Sequence, residues 1–212
     1  MTMIFDKYEQ RGAYHWVWYK TNLYRYQELV DSLIDFLPKD GGLLLDIGCG
    51  DGLIGYKIFQ RGFSVLGIDN NERAIELAND TKQKKIKELR IKRFLKLFGL
   101  FRMEELRIPD DDLRFEAQSI YDFSEDPKYD YVLCYEVLEH IEFPEKALEK
   151  IKKICKKKAI LSIPNGEFQK IGKYDYHVWT QEEFEVILDS HGFNYTRLLF
   201  DTEKIYFQLA FS

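Results

Sequence analysis

The chain has 212 residues, of which 45% are hydrophobic and 32% charged, and its formal net charge is −5. This length and composition fit one globular domain, and they exclude a disordered chain and a protein whose whole surface binds nucleic acid. The three cysteines (Cys49, Cys134 and Cys155) form no CxxC pair, so we expect reduced thiols rather than disulfides or a zinc framework. No apolar run reaches the roughly 18 residues of a membrane span, and residues 1–16 lack the apolar core of a signal peptide. We therefore expect a cytoplasmic protein.

Hydrophobic periodicity predicts an alternation of helices and strands. In chain order, the predicted elements are a helix over 24–37, a strand over 43–48, a helix over 53–60, a strand over 63–69, a helix over 71–79, strands over 113–118 and 129–136, a helix over 144–157 and a strand over 158–164. A last helix begins with a capping box of Thr180 and Glu183, and two strands near 194–200 and 204–211 form an antiparallel hairpin. This order predicts an α/β fold with a doubly wound, mostly parallel sheet that ends in an antiparallel hairpin.

A glycine-rich turn, DIGCGDG, occupies residues 46–52. With Gly55 its glycines match GxGxxG, the pattern of a dinucleotide site. The predicted strand ends at Ile47, however, so Asp46 and Asp51 bring two carboxylates to the turn, where they would repel a pyrophosphate. A ligand with an amino group, a positive centre and a ribose, but no phosphate, fits this turn better. S-adenosylmethionine is such a ligand.

The sequence resembles the class I S-adenosylmethionine-dependent methyltransferases, whose first motif is an acidic residue followed by GxGxG. The matching residues are Asp46, Gly48, Gly50 and Gly52. The resemblance extends over roughly residues 40–195 and includes the ubiquinone-biosynthesis-type enzymes of this class. It implies a seven-stranded, Rossmann-like methyltransferase sheet with S-adenosylmethionine as the cofactor.

The resemblance also implies further cofactor-binding residues. Asp69, followed by Asn70 in "GIDNN", matches the acid that holds both ribose hydroxyls. Gln118 and Ser119 follow the third strand, where the family usually has a polar side chain for the adenine amino group. Glu136, at the end of the fourth strand, completes the predicted cofactor site.

Glu136, Glu139 and His140 are spaced i, i+3 and i+4, so they would share one face of a helical turn. Two carboxylates and an imidazole can hold a hard metal ion or form a general base with its neighbours. The small-RNA 2′-O-methyltransferase family binds a divalent metal through ExxEH and a later histidine, for which this chain has His177. Ubiquinone-biosynthesis-type O-methyltransferases also have EVLEH at this point, so the motif alone does not indicate a metal. We favour His140 as the base, with Glu136 orienting its ring, and expect no metal.

Residues 8–26 are unusually rich in tyrosine, tryptophan and histidine. We expect residues 1–38 to form a helical, aromatic lid that excludes water from the cofactor and acceptor, although most of these rings are expected to pack against the edge of the sheet. His15 is the exception, because an imidazole inside an aromatic lid is a candidate proton acceptor and acceptor-contacting residue.

The pattern of apolar and basic residues over 82–101 predicts a basic amphipathic helix, which lies inside an insertion of residues 80–110. Its apolar positions are Ile86, Leu89, Phe94, Leu97 and Phe98. Three interpretations compete: a solvated helix docked on the fold, a binding site for anionic acceptors such as RNA or sugar phosphates, and a contact with a membrane surface. A solvated face is the most common explanation of such a charge run.

The sequence therefore predicts a single methyltransferase domain over residues 1–212 that methylates an oxygen or nitrogen of a small metabolite or glycan precursor. His140, Glu136 and His15 are the candidate catalytic residues. Two alternatives remain open: a metal-assisted RNA 2′-O-methyltransferase, which would use the basic helix as its nucleic-acid contact, and a non-catalytic regulatory protein that binds the cofactor.

Overall fold

The computed structural model describes residues 7–97, 108, 111–198 and 204–211. Within them the helices are α1 (Lys7–Arg11), α2 (Tyr14–Thr21), α3 (Tyr26–Asp35), α4 (Leu53–Gln60), α5 (Glu72–Leu97), α6 (Pro144–Ile154) and α7 (Gln181–Ser190). The strands are β1 (Gly42–Ile47), β2 (Phe63–Asp69), β3 (Leu113–Ala117), β4 (Tyr129–Tyr135), β5 (Cys155–Pro164), β6 (Asn194–Leu198) and β7 (Lys204–Ala210). They form one sheet in the order β3-β2-β1-β4-β5-β7-β6.

The sheet is mixed, as predicted. β1 pairs with β4, β2 with β3 and β4 with β5 in parallel. β7 runs antiparallel to both β5 and β6, which confirms the predicted α/β fold with its C-terminal hairpin. The register places Lys204, the first residue of β7, opposite Pro164, the last residue of β5. The start of β7 therefore lies at the edge of the sheet where the parallel strands end.

The chain packs as two compact units, each of which has its own core. The first unit comprises Lys7–Gly42 and Cys49–Ala117, and the second includes Leu43–Gly48 and Gln118–Ser212. Fully buried side chains in the first are Val30, Ile58, Phe59, Phe63, Ile68 and Leu113, and in the second Leu44, Leu45, Val132, Leu133, Leu148, Leu161, Phe184 and Phe207. The central strands are apolar in consecutive positions because helices cover both faces of a parallel sheet.

α5 is one continuous helix, so the prediction of two separate helices in this region is wrong. The structure has a single helix from Glu72 to Leu97, and this segment contains no proline or glycine that would break it. Leu89 is buried, whereas Ile91 and Phe94 are 60% and 59% exposed. The side chain of Leu97 and the whole of Phe98 lie outside the described residues. In the described part of the chain, no helix is both long enough and apolar enough to cross a membrane.

Candidate functional site

The glycine turn has the backbone that its sequence predicts. Gly48, Gly50 and Gly52 have φ angles of 68°, 55° and 76°, in the left-handed region that glycine enters without steric cost. Space around the turn is also restricted: a β-carbon on Gly50 would overlap the hydroxyl oxygen of Tyr8, and one on Gly52 would lie 2.7 Å from the Phe115 ring. Glycine is therefore required at these positions by both conformation and packing.

Asp69 ties the turn to the end of β2. Its Oδ2 accepts the backbone N–H of Gly50 at 2.9 Å, and its Oδ1 accepts that of Asn71 at 2.8 Å. Each carboxylate oxygen has a second lone pair, so both can still accept a hydrogen bond from a ribose hydroxyl. Burial raises the pKa of Asp69, and the two backbone donors offset this only in part.

Asp51 brings a carboxylate to the turn, as expected, but this carboxylate bonds to α2. It is almost fully buried, and its Oδ2 accepts the backbone N–H of His15 at 2.9 Å. Its backbone oxygen accepts the indole N–H of Trp16 at 3.0 Å. Ala13, which precedes α2, provides no side-chain cap. Asp51 therefore satisfies a free N–H in the first turn of α2 and places a negative charge at the positive end of that helix.

The aromatic segment forms a cluster in the first unit. Tyr8 stacks on Tyr14 at 5.3 Å between ring centroids, and the ring of His15 lies 4.0 Å from Tyr14 and 5.7 Å from Tyr26. The Nδ1 atom of His15 is 3.3 Å from Oδ1 of Asp51. Burial raises the pKa of Tyr8 well above its usual value and that of Tyr14 to about 12, so both phenols stay neutral. His15 thus lies beside the glycine turn and within the aromatic cluster.

The other predicted cofactor residues lie at the ends of strands or just after them. Asp46 is buried on β1, and Asn70 is exposed immediately after β2. Gln118 and Ser119 follow β3 and are half-buried. The hydroxyl of Ser119 accepts the N–H of Tyr121 at 3.2 Å and so caps a short 3-10 turn.

Glu136 lies just after β4, and it is not part of a helical turn. Its φ angle is 54°, and the 3-10 turn that follows spans only Leu138–His140. The Glu136 N–H donates to Oγ of Ser162 at 2.9 Å, and the Ser162 hydroxyl donates to Oε1 of Glu136 at 3.1 Å. Lys204 donates to Oε2. The expectation that Glu136, Glu139 and His140 share a helical face is therefore wrong.

Glu139 is a buried acid with incomplete pairing. Its side chain is 1% exposed, and Oε2 has no hydrogen-bond partner among the described residues. Oε1 lies 3.9 Å from Nε2 of His140, beyond hydrogen-bond distance. Burial, followed by the nearby charge of Glu136, raises the pKa of Glu139 well above its usual value, while Lys204 lowers it.

His140 is held through one ring nitrogen. Its Nδ1 lies 2.9 Å from Oδ1 of Asp175 and 3.0 Å from the carbonyl oxygen of Tyr174. A carbonyl and a carboxylate only accept hydrogen bonds, so Nδ1 has the proton and Nε2 is the basic nitrogen of the neutral ring. The spacing of Glu136 and His140 predicts Glu136 as the partner of this ring, but the structure places Asp175 against Nδ1.

The loop between β5 and α7 fixes this arrangement. The N–H groups of Tyr176 and His177 both donate to the Glu139 carbonyl, at 2.8 and 3.2 Å, and Gly172 N–H donates to Oδ2 of Asp175 at 2.6 Å. The ring of His177 stacks on Trp179 at 5.0 Å, and its Nε2 lies 3.3 Å from the carbonyl oxygen of Glu142. Among the described residues, no three His, Cys, Asp or Glu side chains are grouped as metal ligands would be.

Sequence reasoning missed two residues with polar roles around these groups, Asp175 and Lys204, and it did not foresee that Asp51 would bond to His15. Asp175 has a weak local signal, since it lies two residues before His177 in "YDYH". Lys204 has none, because it stands at the border of the predicted turn and the last predicted strand. Its position depends on the antiparallel pairing of β7, which a linear pattern does not reveal.

Comparison with known proteins identifies the family. A model of the methyltransferase domain family matches residues 20–198. Ubiquinone biosynthesis O-methyltransferases are 30% identical to this chain in Leptothrix cholodnii and 27% in Alkalilimnicola ehrlichii, each over 117 residues, or 55% of this chain. The chain covers 41% and 38% of the lengths of these two relatives, respectively.

The fold has solved counterparts. The crystal structure of magnesium protoporphyrin IX methyltransferase from Synechocystis PCC 6803 with bound SAM superposes with a TM-score of 0.62. It is 22% identical, and the match covers 88% of this chain and 80% of that one. Since the family model matches most of the sequence, the chain belongs to the methyltransferase domain family.

Proposed function

We propose that this protein transfers the methyl group of S-adenosylmethionine to a hydroxyl oxygen of a small-molecule acceptor, with His140 as the general base. The main support is the pairing of Nδ1 with Asp175 and the Tyr174 carbonyl, which leaves Nε2 as the basic nitrogen. The names of the curated relatives, which are O-methyltransferases, favour oxygen over nitrogen.

We assign the predicted residues to the cofactor: Asp46, Gly48, Gly50, Gly52, Asp69, Asn70, Gln118, Ser119 and Glu136. The chemistry of the described atoms suits S-adenosylmethionine. Asp69 keeps spare lone pairs for two ribose hydroxyls beside a turn that has no side chains at its glycines. Asp46 and Glu136 are acids, which favour a positively charged sulfonium over a phosphate.

The cofactor supplies a methyl group activated by its sulfonium, so the residues of this chain need to orient the acceptor and remove its proton. Nε2 of His140 takes the hydroxyl proton as the new O–CH3 bond forms and the S–CH3 bond breaks. Asp175 then stabilises the imidazolium through the proton on Nδ1. His15 is assigned to the lid, where its contacts with Asp51 hold α2 on the glycine turn.

The test combines binding with transfer. Titration calorimetry should show binding of S-adenosylmethionine and none of NAD. Transfer of labelled methyl into cell extract, fractionated into RNA, lipid and small molecules, should label the small-molecule fraction and survive chelation of divalent metals. Label in RNA that is lost on chelation and restored by Mg²⁺ or Mn²⁺ would contradict the proposal and favour the metal-assisted alternative.

A further inference from the structure

Lys204 lies where ligands bind in folds of this kind, although it belongs to the last strand of the sheet. β7 is antiparallel to β5, and Lys204 pairs with Pro164 at the carboxyl end of β5. Open α/β sheets bind their ligands at the carboxyl ends of the parallel strands. The first residue of an antiparallel strand therefore reaches the same edge.

Residues from two strands, β5 and β7, bind the Glu136 carboxylate. Lys204 donates to Oε2, and the hydroxyl of Ser162 donates to Oε1. The same hydroxyl accepts the backbone N–H of Glu136. Glu136 has a φ angle of 54°, which non-glycine residues seldom adopt and which persists where the surroundings over-determine it. Ser162 and Lys204 together provide that constraint.

Glu136 and Lys204 form an ion pair with little exposure to solvent. Their side chains are 21% and 20% exposed, and Nζ of Lys204 also lies 5.2 Å from the ring centroid of Tyr135. Burial alone would lower the pKa of Lys204, but the charge and hydrogen bond of Glu136 outweigh it and raise the pKa above its usual value. The lysine is therefore an ammonium at neutral pH, and the pair has no net charge.

We propose that Lys204 is a positioning residue that fixes Glu136 and sets the negative charge that this carboxylate presents to the sulfonium of the cofactor. This inference rests on the proposed function, in which Glu136 faces the cofactor. S-adenosylmethionine has a positive sulfonium, whereas the product S-adenosylhomocysteine has a neutral thioether. The pair therefore limits how strongly the site prefers the methyl donor over its product, since an unpaired Glu136 would attract the sulfonium more strongly.

The test is the ratio of the dissociation constants of S-adenosylhomocysteine and S-adenosylmethionine, measured by calorimetry. Lys204→Met should raise this ratio by about 3–10-fold, and Glu136→Gln should lower it, since a single charge within several ångströms has an effect of this order at a partly buried site. The double variant K204M/E136Q should return to within about twofold of the wild type. Lys204→Arg keeps the cation and should also stay within about twofold.

Lys158→Met is the matched control, because Lys158 pairs with Ala210 at the opposite end of the same two strands and should not alter the ratio. If K204M does not fold, E136Q and the double variant decide the question, because neither leaves a carboxylate unpaired. An unchanged ratio in E136Q removes Glu136 from the sulfonium and with it the role of Lys204, whereas a double variant that does not return towards the wild type overturns the role of Lys204 alone. In both cases methyl transfer with His140 as the base stands. Failure of the wild type to bind either ligand overturns the proposed function and this inference together.

Discussion

Oδ1 of Asp175 lies 2.9 Å from Nδ1 of His140, which makes the two residues an acid–imidazole pair. Together with the Tyr174 carbonyl, the acid selects the tautomer in which Nε2 can accept a proton. The loop that contains Asp175 is itself bonded to the Glu139 carbonyl, so the pair does not depend on a freely rotating side chain. The arrangement favours a chemical role for His140 over a purely structural one.

Replacing His140 by Ala should lower the turnover of methyl transfer by about 10²–10⁴-fold, the usual contribution of a general base. Affinity for S-adenosylmethionine should change little, because the base acts on the acceptor. Asp175→Ala should give a smaller loss, since Nδ1 keeps the Tyr174 carbonyl. Initial rates of labelled-methyl transfer and calorimetry measure the two quantities separately.

His191→Ala is the control for this prediction. Nδ1 of His191 also lies near a backbone carbonyl, that of Ile187 at 2.8 Å, but no ion pair with an acid is present there in the described structure. Its loss should leave turnover within about twofold of the wild type, because proton transfer is not affected. Near-normal turnover in the His140 variant would mean that the acceptor is already nucleophilic, as an amine or thiolate is, and the hydroxyl assignment would have to be abandoned.

Asp69→Ala should weaken binding of S-adenosylmethionine by about 1.5–3 kcal/mol, the usual effect of losing hydrogen bonds to a charged group. The substitution also frees the N–H groups of Gly50 and Asn71, so a looser turn contributes to the loss. A cofactor analogue without the ribose 3′-hydroxyl separates the two effects. The wild type should bind the analogue more weakly than the cofactor, whereas the Ala variant should bind both equally. If both proteins lost the same affinity on going from the cofactor to the analogue, Asp69 would not be the residue that binds the ribose.

The sequence predicted those parts of the fold that depend on local patterns. Buried strands show as continuous apolar runs, and the capping box of Thr180 and Glu183 forms as expected. The glycine turn was predictable because only glycine enters the left-handed region without cost. The limits of α5 were not predictable, because the basic segment has neither proline nor glycine to mark a boundary.

The polar contacts of the site were less predictable than its position. Helical spacing suggested that Glu136 would orient His140, but the left-handed backbone of Glu136 takes it out of the following turn. The observed partners, Asp175 for His140 and Lys204 for Glu136, are distant in sequence. Such pairs depend on loop closure and strand register, for which a single sequence has no periodic signal.

Gly50→Ala should destabilise the protein by about 2–3 kcal/mol, of which about 1 kcal/mol is backbone strain at a positive φ. The remainder comes from the new β-carbon, which would overlap the Tyr8 hydroxyl. Gly12→Ala is the matched control: Gly12 has a φ of 61°, but a β-carbon there would meet nothing within 4 Å. Urea unfolding measures both free energies.

Tyr8→Phe in the Gly50→Ala background should recover part of that loss. Without the hydroxyl, the nearest atom of the ring to the β-carbon is Cζ at 3.3 Å, a distance that a small shift relieves. The same substitution in the wild type should not stabilise the protein. Equal destabilisation by Gly50→Ala and Gly12→Ala would mean that Tyr8 does not pack on the turn in solution.

Glu139→Gln should stabilise the protein at neutral and alkaline pH but not in acid. The folded state raises the pKa of Glu139 above the unfolded value of about 4.3, so the folded protein binds more protons than the unfolded chain between the two values. Stability is therefore highest below the unfolded pKa and falls as the pH rises through the folded pKa. Glutamine does not ionise and avoids this loss.

Charged and titratable side chains surround Glu139 and influence its ionisation. Glu136 and Asp175 oppose its ionisation, and Lys204 favours it. Nε2 of His140 lies 3.9 Å from Oε1 of Glu139. We expect Glu139→Gln to raise the melting temperature by at least about 2–4 °C at pH 8, the shift that 1 kcal/mol causes in a chain of this size, and to have no such effect at pH 4. Glu142→Gln, at an exposed position nearby, should show no difference between the two conditions. If Glu139→Gln instead lowers the stability relative to the wild type more at pH 8 than at pH 4, the ionised carboxylate has a stabilising partner. Glu139 would then be an anion in the active protein.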